Sequence, residues 1–278
     1  MLRSTIGAFA LAATLGLALS GAQAFDESKY PNWKGQWVRI GAGGLYDPDK
    51  PPVRGQQPPI TEEYRAIWEK NIAEARNGGQ YYNPQVRCIP SGMPRMMIGY
   101  EPIEVIVLPE ITYMQMMFNS EFRRIYTDGR GFPEAEEPSY AGYSIGKWLD
   151  EDGDGKYDVL EVETRGFKSP RTFEGSGLPL HEDGQSIIKE RLYLDHGDKN
   201  LLHNDTTVID NALTRPWSVR RSYRRDPDGE WFFIDCAENN PHVVVGEEFY
   251  MVSADGHLMP TRRGQKPPDL RYFNPARK

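Results

Sequence analysis

Asp150, Asp152, Asp154, Lys156, Asp158 and Glu161 fall at positions 1, 3, 5, 7, 9 and 12 of one run, with Gly155 at position 6. That spacing carries a defined chemistry. Alternating carboxylates converge their oxygens on one point, the glycine permits a sharp turn, and a glutamate at position 12 closes a calcium site bidentately. Helices normally flank such a loop, whereas here the flanks read as strands. The same run therefore also reads as a solvated Asp/Gly hairpin turn, and calcium bound there has a structural role rather than a catalytic one.

A second chemistry is acid–base. Between Ser186 and Asp195 the alternation puts Glu190 on one face with Ile188, Leu192 and Leu194. A carboxylate among aliphatic neighbours either pairs with a cation, Arg220 or Arg224 from a nearby strand for instance, or has its pKa raised and becomes a candidate general acid or base. His203 shares a face with Leu201 and Ile209 on the next strand, within reach of Glu190 across a hairpin. His181, with Asp183, lies in the loop entering the Glu190 strand, where a rim or lid residue would sit. Gly142-Tyr143-Ser144-Ile145-Gly146 matches the hydrolase nucleophile elbow, but Lys147-Trp148-Leu149 and an acidic turn follow it where a helix is required, so the match is a decoy. The five histidines and two cysteines show no zinc or iron spacing, and neither a nucleotide fingerprint nor a haem motif is present. The sequence indicates no organic cofactor.

A third possibility is an adaptable apolar pocket. Met93, Met96, Met97, Met114, Met116 and Met117 cluster beside Tyr100, Tyr113 and Phe118; such soft side chains line pockets or fill cores. The candidate ligand-binding residues are Arg95, Tyr113, Met114, Trp148, Tyr193 and Trp217. Their ligand would be a small apolar or aromatic molecule.

These residues need a scaffold, and the pattern is mainly β. From Phe25 to Ile60 the chain is rich in Pro, Gly and aromatics, with one short strand around Gln36 to Ile40. Thr61 is a helix N-cap; Tyr64, Ile67, Trp68, Ile72 and Ala75 share a face before Gly78 stops the helix. After Cys88 strands are expected near Ile103 to Leu108, Ile111 to Phe118, Glu121 to Thr127, Tyr143 to Leu149, Tyr157 to Thr164, Ser186 to Asp195, Leu201 to Ile209, Trp217 to Arg225 and Glu230 to Cys236. Tight turns between most of them predict an antiparallel meander, and closure into a lipocalin-like barrel removes the two exposed edges. The expected organisation is a signal peptide over 1–24, an N-terminal coil and helix over 25–85 packed on the barrel, the β domain over 86–240, and a C-terminal extension over 241–278 whose basic, proline-rich tail after Pro260 is loosely packed.

Arg3, an apolar stretch from Ile6 to about Leu19, and Ala22-Gln23-Ala24 together form the pattern of a cleavable secretory signal, with the mature chain starting near Phe25. Cleavage removes only Arg3 of the 33 basic residues, leaving 32 against 40 acidic and a net charge of −8. That balance argues against nucleic acid as a partner. No later stretch is long and apolar enough to span a membrane, so a periplasmic or secreted protein is expected. In an oxidising compartment Cys88 and Cys236 are expected to form a disulfide.

Cys88-Ile89-Pro90-Ser91-Gly92-Met93-Pro94-Arg95, Ile125-Tyr126-Thr127-Asp128-Gly129-Arg130, Gly142 to Trp148, Val162 to Phe167, Glu190-Arg191, Thr214-Arg215-Pro216-Trp217 and Cys236-Ala237-Glu238-Asn239 form a further pattern. Over about Cys88 to Asn240 it resembles a widespread family of exported, uncharacterised bacterial proteins. The resemblance implies one secreted β-rich unit and brings no catalytic residue with it. Family members have a shorter turn after the tryptophan, which makes the Asp150 loop an addition in this chain. The functional expectation is an exported barrel that binds a small, partly apolar ligand. The alternative is a cofactor-free lyase, isomerase or hydrolase using Glu190 or His203, and a third is a module docking on another envelope protein through its proline-rich ends.

Overall fold

The structure, a computed structural model, describes residues 25–41, 58–77, 83–135, 137–246 and 248–266. The expected signal peptide, Gly78 and the end of the C-terminal extension lie outside these residues. Among the described residues, nine strands close into a barrel in sequential order. They are β1 (Gln36–Arg39), β2 (Ile103–Val107), β3 (Ile111–Met116), β4 (Phe122–Tyr126), β5 (Tyr143–Leu149), β6 (Val159–Arg165), β7 (Ile187–Leu194), β8 (Leu201–Ile209) and β9 (Trp217–Asp226). The mainly β, lipocalin-like expectation holds.

Three details differ from the sequence-based expectation. First, β1 belongs to the barrel rather than to a separate N-terminal layer: it pairs with β2 on one side and with β9 on the other, from Gln36 opposite Asp226 to Arg39 opposite Tyr223. Second, the meander is broken once, because β4 and β5 are parallel. Parallel neighbours need a long crossover rather than a hairpin, and stretch 127–142 supplies it. The crossover is pinned by Phe132 against Tyr143, with ring centroids 6.1 Å apart, and by Arg165 over the Phe132 ring at 5.0 Å. Third, no strand forms over Glu230 to Cys236. The Pro227-Asp228-Gly229 turn ends β9, whose free edge is already occupied by β1, so no partner remains for another hairpin arm. Instead, Asp235 caps the short helix α2 (Cys236–Asn239), accepting from the Ala237 N–H at 2.7 Å. Beyond it, β10 (His242–Val245), β11 (Glu248–Val252) and β12 (Leu258–Pro260) form a small antiparallel sheet that the sequence reading did not anticipate.

Alternation along each strand sorts side chains between lumen and outer wall. Met114, Ile125, Leu160, Ile188, Leu192, Leu202, Val208 and Tyr223 point inward and are buried. The outer wall of β6 to β9 carries cross-strand ion pairs at register positions: Glu161 with Arg191, Glu163 with Lys189, and Asp205 with Arg220. Paired charges directly opposite each other reinforce the register.

The two ends are capped differently. At the end holding the β5–β6 and β7–β8 turns, Trp33 packs on Trp148 (4.9 Å between centroids), and Tyr30 packs on Trp148 and Tyr157. At the other end lies helix α1 (Glu62–Arg76), started by Thr61, whose Oγ1 accepts from the Tyr64 N–H as the sequence predicts. Trp68 and Asn71 are its buried residues, whereas Ile67 and Ala75 are exposed. Trp68 Nε1 donates to Ser176 Oγ at 3.2 Å and Asn71 Nδ2 to the Gly177 carbonyl at 3.0 Å, which fastens the helix over stretch 175–177. The disulfide Cys88–Cys236 forms as expected and ties this end to the chain beyond β9.

Candidate functional site

The residues expected to act together are distributed over separate parts of the barrel. Glu190 lies in the lumen, where it is paired with Arg123 of β4 rather than with Arg220 or Arg224. Arg123 Nη1 donates to Glu190 Oε1 at 3.1 Å and Nη2 to Oε2, while Nε donates to Ser144 Oγ at 3.1 Å and Nη2 also to Thr164 Oγ1 at 2.9 Å. Asn204 Nδ2 supplies Glu190 with another donor at 2.9 Å. Both charged groups are almost wholly buried, at 1 % and 0 % side-chain exposure, so this is an internal polar strut, in a lumen that also buries Arg221 of β9 opposite Asn204. Ser144 belongs to that strut, and β5 continues through Leu149, which accounts for the elbow-like motif structurally. Gly146 is needed for space, since a Cβ there would lie 2.7 Å from Ile125 Cγ2.

His203 does not approach Glu190. Glu190 is opposite Thr206 and His203 opposite Tyr193, an odd offset that puts the two on opposite sides of the wall. His203 Nδ1 instead meets Ser222 Oγ at 2.8 Å and Nε2 meets Asp195 Oδ2 at 3.3 Å. His181 sits at the α1 end, against Asp183 at 3.0 Å and beside the Tyr64 ring. The expected acid–base constellation is therefore not assembled.

The expected ligand-binding set is likewise dispersed. Met114 is fully buried, as are Met93, Met96, Met97, Met116 and Met117 to within a few per cent, and these methionines fill the core. Trp148 belongs to the aromatic cap at the β5–β6 end, and Trp217 stacks on Phe173 at 4.7 Å at the α1 end. Tyr113 and Tyr193 face outward, the first stacked on Phe122 and the second donating its hydroxyl to Asp205 at 3.0 Å. Of the six, Arg95 alone borders a cavity at the α1 end.

That cavity, of about 400 Å³, is lined by the apolar or aromatic Ile98, Tyr100 and Phe118 together with the polar Ser91, Arg95, Glu101 and Ser176. Its size falls in the range of small-molecule sites. Arg95 is held by Asn83 and Thr172, both at 3.0 Å, and by Gln85. Two buried carboxylates stand behind these polar residues. Burial pushes Glu174 up to about 7 despite its bonds from Ser176, and burial also raises Glu121 although the Ser91 and Gly92 amides donate to it at 2.6 and 3.0 Å. Titratable groups perturbed by burial next to a cavity are a signature of functional sites. Among the described residues, Glu101 Oε2 is buried without a hydrogen-bond partner. Nothing in the local sequence signals this: the loop 99–101 carries neither periodicity nor a motif.

In the Asp150 loop, carboxylate oxygens of Asp150, Asp152 and Asp158 lie within 4.8 Å of one another. Asp154 lies outside the cluster and Glu161 is engaged by Arg191, so half of the expected ligand set converges. Asp150 also accepts from the Gly153 and Gly155 amides at 2.7 and 2.9 Å, bonds that shape the turn by themselves.

Fold and cavity together define a closed β-barrel with a small mixed-polarity cavity beside one capped end, an architecture compatible with a binding protein. No family model matches the chain, and no curated protein aligns with it. Among the described residues, no helix is long and apolar enough to cross a membrane.

Proposed function

We propose that the chain binds a small, partly apolar molecule in the α1-end cavity, with its ring or alkyl body against Ile98, Tyr100 and Phe118 and a hydroxyl or amine donated to Glu101. The observation that carries this reading is Glu101 in the cavity lining, with its Oε2 buried and without a hydrogen-bond partner: a buried acceptor left unmatched costs about 1–3 kcal/mol, which a ligand donor recovers once the carboxylate turns towards the cavity. The competing enzyme reading, which relied on Glu190 with His203, lacks a shared cavity for the two. Thermal melts with phenols and benzylamines test the proposal, because any molecule that binds only the folded chain raises the midpoint by mass action. The expected result is a concentration-dependent rise that Glu101→Gln weakens and Tyr100→Ala abolishes. A panel that leaves the midpoint unmoved, or a rise untouched by both substitutions, refutes it.

Export to a periplasm or beyond, and kinship with the exported bacterial family, belong to the same proposal. They are supported by the Cys88–Cys236 bond and by the signal-like pattern in the sequence. Calcium at Asp150, Asp152 and Asp158 is a second proposal, favoured by their convergence. With so few converging ligands, an affinity no tighter than roughly 0.1–1 mM is expected. A melt unaffected by about 10 mM calcium removes it.

A further inference from the structure

At the opposite end of the barrel a groove of about 1130 Å³ runs between Tyr30, the Asp150 loop and the β7–β8 turn. Its aromatic walls are half-buried and fixed. Tyr30 and Tyr157 pack together at 5.0 Å between centroids, and the Tyr193 ring is oriented by its bond to Asp205 at 3.0 Å. The same lining holds both acceptors and donors: Asp152, Asp154 and Asp158 with Lys156 in the Asp150 loop, and His196 and Lys199 in the β7–β8 turn. Asp152 and Asp154 each spend one Oδ1 on a loop amide, leaving the second oxygen available.

The mixture narrows the ligand class. An anion would meet the loop carboxylates, and a simple cation would meet the lysines and Arg191. An apolar body would strip water from both sets without replacing their hydrogen bonds. A hydroxyl both donates to a carboxylate and accepts from an ammonium, and a pyranose ring has an apolar C–H face suited to a tyrosine ring. We infer that this groove is a binding site for neutral carbohydrate, a sugar ring lying on Tyr157 or Tyr193 with its hydroxyls shared between the loop aspartates and the lysines.

The test is titration calorimetry of the purified chain, in chelator so that no ion bridges protein and sugar, against maltose, cellobiose, lactose and sucrose, with glucuronate as an anionic control. Saturable binding of at least one neutral disaccharide is expected, with a Kd on the order of 1 mM. Tyr193→Ala should weaken it at least tenfold and Tyr193→Phe by much less. Because Tyr193→Ala also removes a contact to His203, the exposed pair His196→Ala and Lys199→Ala serves as a second variant, expected to weaken binding without shifting the melt. Glu101→Gln should leave sugar affinity unchanged, which separates this site from the α1-end cavity. No saturable binding at about 50 mM of any disaccharide, tighter binding of glucuronate, or indifference to both groove variants overturns the inference.

Discussion

Substitution of Glu190 by glutamine preserves shape and removes one charge from the lumen. Arg123 then remains buried as a cation, with the hydroxyls of Ser144 and Thr164 as its remaining strong partners. Two unit charges roughly 4 Å apart at an effective dielectric of about 20 attract by about 4 kcal/mol. Breaking one side of a buried pair costs about 3–5 kcal/mol. Against a total stability of about 5–15 kcal/mol this is a large fraction. In urea unfolding followed by tryptophan fluorescence, with a slope of about 3 kcal/mol per molar, the midpoint should fall by about 1–1.7 M. The double substitution Arg123→Met with Glu190→Leu removes both charges and should recover at least half of that loss, because a buried pair contributes little against an apolar replacement. A catalytic Glu190 predicts a different outcome, lost turnover with stability unchanged or raised. A midpoint drop below about 0.3 M, or a double variant no better than the single one, would sink the strut interpretation.

Three further outcomes are expected. Gly146→Ala places a methyl 2.7 Å from Ile125 Cγ2 and 3.0 Å from Leu160 Cδ1, and should cost about 1–3 kcal/mol in the same unfolding assay; a neutral result would mean that the lumen is loosely filled. Replacing Cys88 and Cys236 by serine opens a loop of 148 residues and should lower stability by up to about 5 kcal/mol on the chain-entropy estimate, visible as a fall in Tm. Glu174, raised by burial from 4.5 to about 7, keeps its proton in the folded chain after the unfolded chain has lost it. Stability should therefore decline as pH rises from about 4.5 to about 7 and level off above, by about 3 kcal/mol in all. Glu174→Gln should flatten that decline; an unchanged pH profile in the variant would assign it to other groups.

The barrel was largely legible because its strands announce themselves by alternation and its turns by Gly, Asn, Asp and Pro. The Glu190 strand, the α1 cap at Thr61 and the Cys88–Cys236 bond all sit where the pattern puts them. Pairing partners were less legible. That β5 runs parallel to β4 depends on where stretch 127–142 travels, and the empty slot for a strand after β9 depends on β1 having taken it; neither is a local property. The site was least legible of all. Face assignment from alternation placed Glu190 correctly among aliphatics, but the cation that meets it comes from Arg123, 67 residues away and three strands round the barrel. The motif residues that carry the family resemblance are mostly structural here: Ser144 and Thr164 hold Arg123, Gly146 makes room, and Trp148 and Trp217 cap the ends. A pattern built from such residues reports a fold and names no ligand.

The seam between β1 and β9 sets the timetable of folding. β1 is the first strand of the barrel to be synthesised and it closes on the last one, Gln36 against Asp226. At about 5–20 residues per second, roughly 10–40 s separate their appearance on the ribosome. Throughout that interval the nascent sheet has two open edges and its lumen residues lack a far wall. Contacts this distant in sequence make folding slow, so the chain stays unclosed, and open to chaperones, until its final strand is made. The same four-residue strand should be the first to lose amide protection when the finished barrel breathes.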